Sequence, residues 1–237
     1  MRLESASRTD VGLKRKINQD SVLEEPQRNL WAVADGMGGH EAGEIASAMV
    51  VNALKALPNG DTLDDTISAA RETLARVNQD LIVLAQSQPD GRSIGTTIVG
   101  LVIADGAYRC FWAGDSRAYL LRNGELLRLS RDHSLVQDMV DVGMLTPHEA
   151  ERHHNSNIIT RAVGVAKDLK LDVVGGDALP GDQFLLASDG LTRVVDDEEL
   201  MAEMMRNPPD RAADHFIEMV LARGAPDNVS LVIVKLF

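Results

Sequence analysis

The sequence predicts an α+β fold in which helices pack on antiparallel sheets, and three observations carry that reading. Asp105-Gly106 and Asn123-Gly124 each lie between short apolar runs, the signature of type I′ hairpins. Helical periodicity occurs in paired segments, whereas a doubly wound parallel fold would alternate strand and helix along the chain. No low-complexity stretch, Pro/Gly-rich linker or internal repeat divides the 237 residues, which favours a single domain over 1–237.

Taken in order, strands are expected at 3–7 and 30–34. Segment 41–57 places Ile45, Ala46, Met49, Val50, Ala53, Leu54 and Leu57 on one helical stripe. Segment 63–84 does the same with Leu63, Ile67, Ala70, Leu74, Val77, Leu81 and Leu84. Pro58-Asn59-Gly60-Asp61 between them reads as a turn and an N-cap, hence an antiparallel helix pair. The period then shifts to strand at 96–104, 108–113, 119–121 and 126–129, and later at 171–174, 183–187 and 230–235. Two further helices fit 197–206 and 210–223. Segment 135–163 contains Gly143, Thr146-Pro147 and a polar run from His148 to Asn155, and is expected to be an exposed, mobile insert with room for two short helices.

Composition narrows the function. With 24 Lys+Arg against 36 Asp+Glu the net charge is −12, the wrong sign for a nucleic-acid phosphate backbone, and only four Phe, two Trp and two Tyr are available to stack on bases. That charge also favours a soluble monomer. One cysteine, Cys110, permits neither an internal disulfide nor a cysteine-based zinc site. The first residues lack an export-type apolar core, and no apolar run is long enough to span a membrane, so a cytoplasmic protein is expected.

The chemistry lies in where aspartates fall. Asp35, Asp115 and Asp189 each follow directly on an apolar run, and Asp227 stands just before the last one. Carboxylates fixed by rigid strands would repel one another if they met in space, unless cations neutralised them. Oxygen ligands without cysteine or a paired histidine set suit hard cations, magnesium or manganese. A lone Asp-Gly after a strand is ordinarily only a turn, and Asp105-Gly106 is explained completely by its hairpin. Asp35-Gly36 differs, because Met37-Gly38-Gly39-His40 and a helix follow, a glycine-rich approach that lets backbone come close to a ligand.

Six segments, in order, resemble the motifs of bacterial metal-dependent type 2C protein serine/threonine phosphatases. They are Thr9 to Asp20; Asp35-Gly36-Met37-Gly38-Gly39-His40 with Gly43-Glu44; Gly95-Thr96-Thr97; Gly114-Asp115-Ser116-Arg117; Ser188-Asp189-Gly190-Leu191; and Asp227-Asn228-Val229-Ser230. The resemblance covers essentially the whole chain and implies a free-standing catalytic domain with a four-layer αββα sandwich, two antiparallel sheets flanked by helix pairs. It implies a centre holding two Mn2+ or Mg2+ ions: Asp35 bridging both, the Gly36 carbonyl on one, Asp189 and Asp227 on the other, and Asp20 acting through metal-bound water. Asp115, with Asp189, matches the acidic pair that binds a third metal in bacterial members, and Arg15 matches the phosphate-binding arginine. A hydroxide bridging the cations would attack phosphorus directly, with no phosphoenzyme. Expected partners are phosphorylated protein substrates and a cognate Ser/Thr kinase system, with no nucleic acid and no membrane.

Departures from the family pattern also matter. Many eukaryotic relatives carry histidine after the Asp-Gly as a proposed general acid, where this chain has Met37, which donates no proton. His40, three residues on, is a minor candidate for that role, and Asn228 for a supporting one. Gln19 replaces a common glutamate, removing one negative charge. Arg117 is expected to be structural, and segment 135–163 corresponds to the family's variable flap. Two other readings are a catalytically dead relative that only binds a partner, and a phosphatase for a sigma-factor antagonist.

Overall fold

Asp105 and Gly106 adopt φ of 52° and 74°, and Asn123 and Gly124 adopt 54° and 81°. These are the paired positive angles that a type I′ turn requires. In the computed structural model, which describes residues 2–38, 42–58, 60, 62–88 and 93–237 (for Glu151 the backbone only), both turns close hairpins. The first joins β5 (Ile98–Ala104) to β6 (Ala107–Ala113), and the second joins β7 (Arg117–Arg122) to β8 (Glu125–Arg128).

Around these hairpins two antiparallel sheets assemble. One contains β1 (Leu3–Asp10), β11 (Val229–Leu236), β10 (Gln183–Ala187), β7 and β8, in that order. The other runs β2 (Asp20–Glu25), β3 (Leu30–Met37), β5, β6 and β9 (Asp172–Asp177), with the short β4 (Gly95–Thr96) pairing β3 beyond the end of β5. Period-two alternation decides which layer each residue enters. Trp31 and Val33 of β3 join Phe184 and Leu186 of β10 in the core between the sheets. Ala32 and Ala34 face the other way, toward α1 (Ala42–Lys55) and α2 (Leu63–Ser87). On the opposite flank Leu185 and Ala187 pack under α6 (Asp197–Arg206) and α7 (Pro209–Ala222). The layers are therefore helix, sheet, sheet, helix, as the sequence motifs imply.

Local chemistry explains the helix starts. Thr62 accepts from the Asp65 N–H while the Asp65 carboxylate accepts from the Thr62 N–H, a capping box worth about 1 kcal/mol at the head of α2. Asp196 and Glu199 build the same device for α6. In α1 the buried face is turned from the expected stripe: Ile45 is exposed, and Gly43, Ala46, Ser47, Val50 and Leu54 point inward. The cause is a backbone contact. A Cβ on Gly36 would lie 2.0 Å from the Gly43 carbonyl oxygen, so the helix seats its glycine against β3 and rotates accordingly. Buried Ser47 then meets the Ser21 hydroxyl at 3.0 Å.

Segment 135–163 does hold two short helices, α3 (Leu135–Asp141) and α4 (Pro147–Glu151). Its tip is exposed at Val142 and Met144, yet its ends are anchored by bridges from Ser134 to Ile159 and from Thr96 to Val163. β2 and the four-residue α5 (Asp189–Thr192) were not expected. β2 has adjacent Val22-Leu23 rather than an alternating run, and is an edge strand that gains its order by pairing with β3. Among the described residues no helix is long and apolar enough to cross a membrane.

The close approaches make a direct test of the packing. A Cβ on Gly190 would sit 1.8 Å from the Asn228 carbonyl oxygen, whereas one on Gly106 would meet nothing within 4 Å. Gly190→Ala should therefore cost about 3 kcal/mol in denaturant unfolding. Gly106→Ala should cost about 1 kcal/mol, the strain of a side chain at positive φ alone. Equal costs would contradict the packing described.

Candidate metal centre

The register of β2 on β3 sets Asp20 opposite Asp35. β10 ends one residue before Ser188-Asp189, β6 ends just before Gly114-Asp115, and β11 begins directly after Asp227-Asn228. These strand ends lie together, so that Asp35 experiences the charges of Asp20, Asp189, Asp115 and Asp227. The acidic residues singled out in the sequence thus converge on one end of the sandwich.

Small hydroxyl and amide groups hold them there. The Asp35 N–H donates to the Thr97 hydroxyl at 3.0 Å, and its carbonyl accepts from the Thr97 N–H at 2.8 Å and the Thr96 hydroxyl at 2.9 Å. Thr97 in turn meets the Ser116 hydroxyl at 2.7 Å, coupling the Asp35 strand to the loop that bears Asp115. The Ser188 hydroxyl donates to Asp20 at 2.9 Å and accepts from the Ser230 N–H at 3.0 Å. Asn228 donates to the carbonyls of Val11 at 2.9 Å and Ile17 at 3.0 Å and accepts from the Gln19 N–H at 2.9 Å. That side chain staples the loop carrying Arg15 to the loop carrying Asp227.

The electrostatics are those of a site short of positive charge. Burial, reinforced by Asp20, Asp189, Asp115 and Asp227, holds the Asp35 carboxyl well above the ordinary carboxylate range. Burial likewise raises Asp20 to about 7, against the opposing Ser230 and Ser188 hydroxyls. It raises Asp115 to about 7 with help from the Asp189 charge, Arg193 opposing, and it raises Asp189, again against Arg193. The charges of Asp35 and Asp189 act on one another inside this buried end, a repulsion that a proton or a cation would relieve. Asp20 Oδ1 and Asp115 Oδ1 are buried with no hydrogen-bond partner. Orphaned, crowded carboxylate oxygens are the donor set that hard divalent cations take, and the residues present fit such ions. Among the described residues no three acidic, imidazole or thiolate groups already close into a ligand triplet. Carbonyl and water oxygens commonly complete a Mg2+ shell held by only one or two carboxylates.

Two arginines border the cluster. Arg15 places Nε 2.8 Å and Nη2 2.7 Å from the two Asp227 oxygens, so its fork rests on a carboxylate. Arg193 reaches Asp189 and Asp115; sequence reasoning missed it, although its spacing four residues after Asp189 is the signal of a helical ion pair. Arg117 pairs with Asp132 at 2.9 Å, next to the cluster, where its charge is felt by Asp189. Met37 lies at the end of β3, and His40 lies outside the described residues. Cys110 is fully buried in the core between the sheets, where desolvation raises its thiol pKa far above the usual range, so it offers no thiolate.

Comparison with known proteins agrees with this geometry. A family model described as protein phosphatase 2C matches residues 13–231. The serine/threonine protein phosphatase PstP of Mycobacterium tuberculosis is 36% identical over 231 residues, covering 98% of this chain and 44% of that protein; the chain thus spans less than half the length of this curated relative. Among solved structures, PppA, described as a key regulatory component of T6SS in Pseudomonas aeruginosa, superposes with a TM-score of 0.92 at 40% identity, over 100% of this chain and 99% of that one. The catalytic domain of PstP in complex with two manganese ions gives a TM-score of 0.88 at 36% identity, over 98% and 97% of the two chains. On the match over most of its length, and on relatives that share its fold from end to end, the chain belongs to the protein phosphatase 2C family.

Proposed function

We propose that the chain is a Mn2+- or Mg2+-dependent protein phosphatase that hydrolyses phosphoserine and phosphothreonine, and that Asp35, the Gly36 carbonyl, Asp189 and Asp227 hold two cations. The observation that carries this reading is the convergence of Asp20, Asp35, Asp115, Asp189 and Asp227 at one sandwich end, with Asp20 Oδ1 and Asp115 Oδ1 buried and without a hydrogen-bond partner. When bound there, two divalent cations supply an activated water and charge stabilisation on the phosphoryl group.

The chain's own residues do the rest. Arg15 presents a planar fork suited to two phosphate oxygens. Its partner Asp227 is 38% exposed and Arg15 itself 55%, so the pair is a surface ion pair worth about 0–1 kcal/mol. Exchanging a carboxylate for a doubly charged phosphate therefore costs little. Asp20, held by Ser188, keeps a free oxygen for a water in the site. Thr97 and Asn228 fix the backbone that carries Asp35 and Asp227. With no thiolate at Cys110, direct attack by water needs no covalent intermediate on the protein. Since Met37 has no proton to give, the leaving serine or threonine oxygen takes its proton from solvent or from His40.

The substrate is a phosphorylated protein and the opposing activity a Ser/Thr kinase. Similarity to PppA over the full length of both chains supports placing that substrate among T6SS regulators rather than sigma-factor antagonists. A comparison of phosphorylated proteins in cells with and without the active protein tests this directly. Segment 135–163 is the flap that governs substrate access.

Activity assays on a phosphothreonine peptide with manganese test the chemistry. Asp35→Asn and Asp189→Asn should each lower kcat on the order of a thousandfold, the equivalent of about 4 kcal/mol of charge stabilisation. Arg15→Lys should raise KM on the order of tenfold with less effect on kcat, because a point charge replaces a fork. Cys110→Ala should leave turnover intact, and undiminished turnover in excess chelator would refute the proposal.

Thermal unfolding gives a second test. Native pKa values raised above the ordinary 3.8 of aspartate, to about 7 at Asp20 and Asp115, mean that the folded chain binds more protons than the unfolded chain between these limits. Without divalent cations, stability should therefore fall as pH rises from about 4 to 7. Manganese at a hundred times its Kd should raise Tm by about 5–10 °C at neutral pH, and by less toward pH 5 as protons compete. A Tm indifferent to manganese would sink the reading.

A further inference from the structure

Arg193 ends the short α5, and its side chain folds back across the acidic cluster. Nε lies 2.9 Å from Asp189 Oδ2, and Nη2 lies 3.2 Å from Asp115 Oδ2. These two carboxylates are the pair that the sequence motifs offered for a third cation. The same Nη2 lies 3.2 Å from the Ser156 carbonyl oxygen, and Nη1 donates to Asn157 Oδ1. Ser156 and Asn157 belong to the descending arm of the flap, two residues before it rejoins the body through the bridge of Ile159 to Ser134. One guanidinium thus touches both acidic groups and the flap.

The geometry points to Arg193 as a built-in cation that takes the place of a third metal ion between Asp115 and Asp189 and latches the flap to the metal centre. This rests on the two-cation reading above. A guanidinium cannot be deprotonated and carries its donors in a fixed fork. Each of the three nitrogens has an acceptor here: Nε meets Asp189, Nη2 meets both Asp115 and the Ser156 carbonyl, and Nη1 meets Asn157. Asp115 is 6% exposed and Asp189 18%, so the two carboxylates are withdrawn from bulk water, and an external ion would have to compete with a guanidinium already seated against them. A third ion could enter only by expelling Arg193, which would release Ser156 and Asn157 together with it. Third-metal occupancy and flap attachment therefore exclude one another in this chain. Arg193 is a positioning residue: it acts through Asp115, Asp189 and the flap backbone and touches no substrate.

The test counts metal and follows the flap in the same samples. Manganese bound per chain is measured by calorimetry and elemental analysis, and backbone amide exchange is followed over residues 153–160. The natural chain should bind two Mn2+ ions. Arg193→Ala should bind a third, more weakly, and its flap amides should exchange on the order of tenfold faster. Arg193→Lys, which keeps the charge but not the fork, should stay at two ions while the flap still loosens, which separates charge from tether. A natural chain that binds three ions overturns the inference and leaves the two-cation reading standing, as does an Arg193→Ala chain unchanged in both measurements. A natural chain that binds none overturns the two-cation reading instead. A variant that fails to show the manganese-dependent rise in Tm is misfolded, and the count on the natural chain and on Arg193→Lys then decides.

Discussion

Repulsion among buried carboxylates is the constraint around which this molecule is arranged. Two unit charges about 4 Å apart interact by about 4 kcal/mol at the effective dielectric of a protein. Several ionised pairs at such a distance would rival the whole 5–15 kcal/mol by which a typical domain is stable. The chain does not relieve them by letting the loops drift apart. Hydrogen bonds between Thr97 and Asp35, from Ser188 to Asp20 and from Asn228 to the Arg15 loop hold the strand ends in place. A centre built in this way is pre-organised to take up positive charge, whether as protons, as arginine or as divalent ions.

The strength needed to hold that arrangement comes from elsewhere in the fold. The two sheets interlock through Trp31, Phe184 and Val232, and each sheet buries its outer face under its own helix pair. Those three cores sit along the strands, while the acidic groups sit at strand ends. Where helix and site do meet, at Gly43 on Gly36, the contact is backbone on backbone, and it rotates α1 so that Ser47 rather than Ile45 is buried.

That rotation shows where sequence reading stops. The hairpins at Asp105-Gly106 and Asn123-Gly124 were legible because their turn geometry is fixed by two adjacent residues. The helix at 197–206 was legible because its cap, its periodicity and its end all fall within one segment. The inward face of α1 was not, since it depends on a glycine pair that meets only after folding. β2 escaped notice for a similar reason: Asp20 to Glu25 has little pattern of its own and takes its register from β3. In the site, Asp35, Asp115 and Asp189 announced themselves by following apolar runs and Asp227 by preceding one, whereas Asp20 was marked only by the motif resemblance. The hydroxyls that fix them, Thr97 and Ser188, and the arginine that bridges two of them carry no such mark. Ser, Thr and Arg occur widely in loops, and only their placement distinguishes these.

The two arginines at the cluster show how burial assigns different work to the same side chain. Arg15 and Asp227 are 55% and 38% exposed, so water competes with their contact and a phosphate can displace the carboxylate at small cost. Arg193 is 36% exposed, but its partners Asp115 and Asp189 are only 6% and 18% exposed. Removing it would leave buried charge uncompensated, a far larger penalty than losing a surface pair. The more exposed fork is therefore the more readily exchanged one, and the other fork faces the flap. Had the burial of the two pairs been reversed, the site would grip its own carboxylate too firmly to release it to a substrate, and would leave the flap held by a contact that salt and water could dissolve.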